Sequence, residues 1–253
     1  MAVVERAAIG DRLLDADARS LLGSRYGHFT AMQVRDRRVR GLGLHLERLE
    51  TASRELFGAG LDRAAVLASI RTVLGGDVRD ASVRVYVLDA DPPAVFATAG
   101  PPHDPLPGPL SVRTVVYQRY LAHIKQATGF QQAHILRTAG RDGFGEALLT
   151  TEDGLISEGS ITNLGGFAGD RLVWPDAPML HGVTMRLLER MDVPQERRPL
   201  TVAGLGGLDL VFLCNSWGVT AVGSVDGVPL RQDGELLKRL LAYYEGVPGD
   251  PLD

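Results

Sequence analysis

Five prolines fall within residues 100–109, "GPPHDPLPGP", and no other stretch constrains the folding of this chain so strongly. Proline fixes φ and has no N–H to donate, so neither a helix interior nor a central strand can run through such a segment. The chain must build a core on either side of it. Its 253 residues are enough for two modest units, of roughly 105 and 145 residues on ordinary domain sizes. The expected division is an N-terminal α/β domain over 1–107, a proline-rich linker over 100–109, and a strand-rich C-terminal domain over 108–253.

The patterning on each side supports an α/β (α+β) fold. "HFTAMQVRDRRVR" (28–40) reads as two strands about a turn at Asp36-Arg37. A helix follows, with Leu42, Leu46, Leu49 and Leu56 on one face and Gly58 at its end. A second helix is expected near 61–74. "ASVRVYVLDA" alternates strictly, and "PAVFATA" can pair beside it. Past the prolines, "LSVRTVVY" reads as a strand and "GFQQAHILRTA" as a short helix. "EALLTTEDGLISEGS" reads as a hairpin turning at Asp153-Gly154. Strands are expected at 163–167 and 171–174, then a helix from "HGVTMRLLERM", strands from "LDLVFLCNS" and "TAVGSVDG", and a C-terminal helix.

Of 27 Lys and Arg residues only two are lysines, Lys125 and Lys238. A chain so biased toward arginine usually carries arginine wherever charge alone is needed. Lys238 sits on the exposed face of the C-terminal helix, whereas Lys125 follows Ile124 with no acidic residue near it in sequence. An amine differs from a guanidinium in that it can lose its proton and attack a carbonyl. Taken alone, Lys125 reads equally simply as a domain-edge lysine in a salt bridge. The net charge of −4 argues against nucleic acid or an anionic membrane as partner. The single cysteine, Cys214, reads as a buried apolar residue, and one cysteine allows no intrachain disulfide. A soluble, cytoplasmic protein is expected, with no metal site.

Downstream of Lys125, "EGSITNLGGF" places Glu158 in a strand-rich region among small hydroxyl residues. A buried carboxylate needs a cationic partner, and the pyridinium nitrogen of pyridoxal phosphate (PLP) is one that would serve. "HGVTMR" and "NSWGVT" are small-residue turns whose free N–H groups suit an anion. "HLERL" places Arg48 one helical turn beyond His45, and arginine suits phosphate.

In their order these features resemble the class IV, fold-type IV PLP enzymes, the branched-chain and D-amino acid aminotransferases and the aminodeoxychorismate lyases. The resemblance spans roughly residues 26–227. It implies a two-domain, D-amino acid aminotransferase-like fold. It also implies PLP held on Lys125 as an internal aldimine, with Arg48 on the phosphate and Glu158 on the pyridine nitrogen beside Ser160 and Asn163. Gly182, Val183 and Thr184, then Asn215, Ser216 and Trp217, are implied as further cofactor contacts. Tyr26, His28 and Thr30 are implied on the substrate side. The activity implied is transfer of an amino group between an amino acid and a 2-keto acid by a homodimer. A lyase that eliminates pyruvate from aminodeoxychorismate and a non-catalytic homologue are the alternatives.

Several positions depart from the family pattern. Leu164 is followed by Gly165 where Phe or Tyr is usual, and Trp174 precedes Pro175 where threonine is frequent. Met185 stands where a basic residue is expected, with Arg186 one place later. The branched-chain enzymes' tyrosine five residues after the lysine is Phe130 here. The lyases' second threonine after "F-T" is Ala31.

Overall fold

A computed structural model of the chain describes residues 8–9, 12–13 and 26–252. A short antiparallel pair, β1 (Ala8–Ile9) with β2 (Arg12–Leu13), precedes the main body. The first unit is an antiparallel five-stranded sheet in the order β16-β4-β3-β5-β6, with β3 (Gly27–Arg35), β4 (Arg38–Arg40), β5 (Ala81–Leu88), β6 (Ala94–Gly100) and β16 (Gly249–Pro251). Asp36 and Arg37 turn the β3–β4 hairpin with φ of 48° and 56°, the left-handed pair that matches the twist of a two-residue hairpin loop. Helices α1 (Leu42–Phe57) and α2 (Arg63–Leu74) cover one face of the sheet. Met32, Val34, Val83, Val85 and Val87 meet Leu42, Leu46, Leu49, Val66 and Ile70 there in one buried cluster. Gly41 and Gly58, both with φ near 70°, bound α1 at φ 70° and 66°. Leu56, expected on its buried face, is only half-buried.

The second unit is built on a nine-stranded mixed sheet. Its order is β12-β11-β10-β13-β14-β7-β8-β9, with β15 (Val228–Pro229) off β14. The strands are β7 (Leu110–Val116), β8 (Glu146–Thr150), β9 (Ile156–Gly159), β10 (Asn163–Ala168), β11 (Arg171–Pro175), β12 (Gln195–Arg198), β13 (Leu210–Asn215) and β14 (Gly218–Val225). The pairs β7/β8, β14/β7 and β11/β12 are parallel. A sheet covered on both faces needs apolar residues at consecutive positions, and β13 supplies them: Leu210, Phe212 and Cys214 join one cluster, Val211 and Leu213 the other. Helices α4 (Val183–Leu188) and α5 (Gly234–Gly246) pack into the first cluster, and α3 (Phe130–Arg141) lies beside β7 and β8. Burial pushes the Cys214 thiol pKa up, which leaves it an apolar core residue.

Two elements depart from the expected division. The polar strand β12 had no apolar pattern to announce it. The last strand, β16, does not belong with 108–253: it crosses back and pairs antiparallel with β4, so the first sheet is completed by the end of the chain. The linker is docked rather than free. Its His103 ring stacks on Trp217 at 4.6 Å, and the His103 N–H donates to Gln33 Oε1 at 2.8 Å. No helix among the described residues is long and apolar enough to cross a membrane.

The departures at Gly165, Trp174 and Met185 have packing reasons. Trp174 and Phe212, 1% and 0% exposed, meet edge to face at 5.7 Å directly over Gly165. A Cβ at 165 would lie 2.4 Å from the Phe212 ring and 2.7 Å from Trp174. The indole thus occupies the volume an aromatic residue at 165 would need. Met185 is fully buried in the same cluster, and Arg186 pairs with Glu47 of α1 at 3.0 Å. Gly165→Ala is expected to lower stability by about 1–3 kcal/mol, the usual cost of overpacking a close-packed core. A urea midpoint equal to that of the parent protein would show that the rings can move aside.

Candidate active site

Lys125 lies in the irregular segment between β7 and α3, yet its backbone is fixed. β4 pairs with β3 only at Val34 and Arg35, which leaves that edge of β3 open at its start. The lysine segment fills it: Phe29 N–H donates to Lys125 O at 2.8 Å, and Ala127 N–H donates to Gly27 O at 2.9 Å. The amine then lies 4.8 Å from the Phe29 ring centroid. It faces a cavity of about 160 Å³ between the two units, roomy enough to be open space rather than a packing gap.

Arg48, Lys125, Glu158, Ser160, Asn163, Gly182, Val183, Thr184, Asn215, Ser216 and Trp217 all line this one cavity. Tyr26, His28 and Thr30 do not. Side chains alternate along a strand, so the β3 residues that reach the cavity are Phe29 and Ala31. His28 turns the other way onto α1, where its Nε2 meets Ser53 Oγ at 3.0 Å. Burial, then the Arg48 charge, lowers its pKa to about 4. Tyr26 is exposed and packs edge to face on Phe57 at 5.8 Å. Thr30 is fully buried and serves the site from behind. It accepts from Arg48 Nη2, and its Oγ1 lies 2.7 Å from His45 Nδ1. Burial and the Arg48 and Lys125 charges hold the His45 pKa far below its usual value, which keeps the ring neutral.

Three guanidinium groups converge on Lys125. Burial and the charges of Arg48, Arg119 and Arg84 lower its pKa to about 7, against the pull of Glu158. Arg48 makes no ion pair among the described residues, and its Nε is buried without a hydrogen-bond partner. Burial is the main reason that its pKa falls to about 10. A buried donor left unmatched is costly, so this guanidinium is arranged for an anion.

Glu158 on β9 has a partner that the sequence did not disclose. Its Oε1 accepts from Arg119 Nη2 at 2.9 Å, with both side chains under a tenth exposed. Its Oε2 accepts from Leu180 N–H at 3.2 Å. Burial raises the Glu158 pKa, while Arg119, the Leu180 N–H and Lys125 act against that rise. Asn163 holds the carbonyl of the same residue, its Nδ2 donating to Leu180 O at 2.7 Å. Behind this wall lies a fully buried carboxylate, Glu146, which accepts from Ala147 N–H at 2.8 Å and from the hydroxyls of Ser160 and Thr162. The Ser160 hydroxyl and the Asn163 amide are therefore used to hold the wall rather than to reach into the cavity.

The opposite wall is made of small residues. Thr184 Oγ1 donates to Asn215 O at 2.6 Å, and Trp217 N–H donates to Asn215 Oδ1 at 2.8 Å, which ties α4 to the β13–β14 turn. A Cβ at Gly182 would lie 2.1 Å from Asn163 Oδ1, so only glycine allows this approach. Phe130 is 74% exposed, stacks on His134, and does not reach the cavity. Arg84, Arg119, Glu146 and Phe29 were not anticipated. The requirement that a buried carboxylate find a cation pointed to a partner for Glu158, but no spacing identified Arg119.

The sequence pattern of the amino-transferase class IV family matches residues 27–225. A search of curated protein sequences finds no match. Among solved structures, the fold is similar to a hypothetical aminotransferase from Mycobacterium tuberculosis in its PLP-bound form, with a TM-score of 0.80, 19% identity and 95% of each chain covered. It is similar to a putative 4-amino-4-deoxychorismate lyase from Legionella pneumophila, with a TM-score of 0.78, 17% identity and coverage of 90% of this chain and 93% of that one. It is also similar to the branched-chain amino acid aminotransferase of Escherichia coli, with a TM-score of 0.77, 18% identity and coverage of 96% and 97%. At these identities the structural likeness speaks for the fold, and the match over 27–225 speaks for the family: the chain belongs to the class IV aminotransferases and has their two-unit fold-type IV architecture.

Proposed function

We propose that the protein is a PLP-dependent aminotransferase that moves an amino group between an amino acid and a 2-keto acid at Lys125. One observation carries this reading: a buried primary amine with its pKa drawn down to about 7 shares a cavity with an unpaired guanidinium and an anchored carboxylate. The donor set fits the cofactor. The orphaned Arg48 Nε and the small-residue wall at Gly182, Thr184 and Ser216 suit a phosphate. Each Glu158 oxygen keeps a lone pair beyond its recorded partner, enough to accept from a ring N–H. Bound PLP would supply an aldehyde for the lysine and a ring able to take up an electron pair from the substrate's Cα.

The chain's own groups do the rest. Just above neutral pH the Lys125 amine is largely unprotonated, so it can attack a carbonyl and afterwards carry a proton to and from the substrate's Cα. Arg119 favours the ionised form of Glu158, and Leu180 N–H aims it. Arg84 lines the cavity, and its side chain has no hydrogen bond or ion pair among the described residues. Its free guanidinium is the group for a substrate carboxylate. At Ala31 the cavity meets a methyl group, which counts against the lyase reading because the hydroxyl of that subgroup's second threonine is missing.

Purified protein is expected to be yellow, and borohydride should fix the cofactor to Lys125, as peptide mass spectrometry will show. Stripped protein should capture PLP faster as pH rises through about 7, then level off, because only the unprotonated amine attacks. Lys125→Arg should abolish capture. Glu158→Gln should retain it while slowing turnover about 10³-fold, or roughly 4 kcal/mol. An adduct on Lys238, or near-normal turnover in Glu158→Gln, would overturn these roles.

Arg84→Gln should raise KM for amino and keto acids about tenfold, or ~1.4 kcal/mol, with little change in kcat. An equal loss for an amine donor without a carboxylate would assign Arg84 a different part.

The same reading includes a C2 homodimer. Val116, Tyr120 and Phe130, from 66% to 83% exposed, flank the Lys125 segment and are apolar surface for a partner copy to cover. Light scattering should give twice the 27.2 kDa chain mass; an active monomer would refute it.

A further inference from the structure

The face of β3 that presents Phe29 and Ala31 to the Lys125 cavity continues with Gln33 and Arg35. These two open into a second cavity of about 180 Å³, set behind a wall shared with the first: His45, Val183, Thr184, Ser216 and Trp217 line both. Arg38 and Arg40 complete its lining on the β3–β4 side. Arg35 and Arg38 are direct cross-strand partners, and Arg40 stands two residues on, on the same face. Like charges placed this way repel one another.

Little among the described residues offsets that repulsion. Of the three only Arg35 has a carboxylate there, Asp104 at 3.2 Å, and that aspartate is 93% exposed. Arg38 Nε donates to Gly249 O at 2.9 Å, and Arg40 Nε donates to Val247 O at 3.1 Å. The Arg40 guanidinium lies 5.0 Å from the Tyr244 ring centroid. Carbonyls and a ring hold these groups in position without neutralising them. Gly249, opposite Arg40, adds no side chain, and a Cβ there would lie 2.8 Å from the Arg38 Cβ. Among the described residues no Asp or Glu lines the cavity. Arg35 spends its Nη groups on Gln33 Oε1, Val34 O, His103 O and Asp104 and adds charge, while Arg38 and Arg40 keep spare N–H donors. Fixed guanidinium groups of this kind in a concave site bind oxyanions through paired hydrogen bonds.

We propose that this cavity is a second anion site, which takes a small oxyanion of charge two or more, a phosphate ester or a di- or tricarboxylate, on Arg35, Arg38 and Arg40. The assignment does not rest on what fills the Lys125 cavity, although the two cavities share the Thr184–Ser216 side.

Inorganic pyrophosphate and citrate, titrated calorimetrically into borohydride-treated protein, test this with the Lys125 cavity already filled. One saturable site is expected, weakened about tenfold or more in Arg38→Gln and by added salt. Arg38 is exposed, so this variant should unfold at the parent temperature. The tighter of the two probes identifies the ligand as phosphate ester or polycarboxylate. Loss of binding in Arg48→Gln but not in Arg38→Gln would place the anion in the first cavity and overturn the proposal. So would the absence of saturable binding at millimolar concentrations. If the protein proves to hold no PLP, the Arg38 and Arg48 variants still separate the two cavities, so that failure would not be mistaken for this one.

Discussion

The two backbone hydrogen bonds between the Lys125 segment and the open edge of β3 are what the remainder of the site depends on. The segment has no helix or sheet of its own, and a loop of that kind would ordinarily be mobile. By borrowing the start of β3 it becomes a short extra strand of the first sheet while its chain belongs to the second unit. The amine is thereby fixed relative to Phe29 beneath it and to Arg48 on α1. Arg119, six residues earlier in the same segment, is carried to Glu158 by the same docking. A single edge pairing thus sets the distances among groups from both units.

Electrostatics explain why the docking has to be firm. The cavity gathers Arg48, Arg119, Arg84 and Lys125 around one carboxylate, a surplus of positive charge under partial burial. Such a cluster tends to spread apart or to shed a proton, and lysine is the group able to shed one. The lowered Lys125 pKa is therefore a consequence first of burial and then of charge crowding that the backbone does not allow to relax. Glu146, with no ion pair among the described residues, is satisfied instead by N–H and hydroxyl donors, and it keeps the wall behind Glu158 in place.

Much of this was legible in the sequence because the chemistry requires particular residue types. A lysine in an arginine-rich chain, the glutamate and the small-residue turns stand at positions that the fold brings to one cavity. The strands with apolar alternation and the turns at Asp36-Arg37 and Asp153-Gly154 were equally plain. The face of β3 was harder to read. The family resemblance implied His28 and Thr30 on the substrate side, but α1 supplies Ser53, His45 and Arg48 as buried partners on the other side. The one-residue alternation therefore delivers Phe29 and Ala31 to the site. β12 and β16 escaped notice because "QERR" and "GDP" carry no strand pattern. Their conformation comes from neighbours that are remote in sequence.

The return of β16 to the first sheet has a topological consequence. The two units are crossed by the chain twice, once through the docked prolines and once at the end, so neither is a contiguous piece of polypeptide. A fragment ending at the prolines would lack the strand that covers β4, and it would expose a row of unpaired backbone groups along that edge. Such a fragment would seek another chain's strand in place of its own. The residues of β16 thus act as a closing clasp, and the first sheet is complete only once the whole second unit has been synthesised.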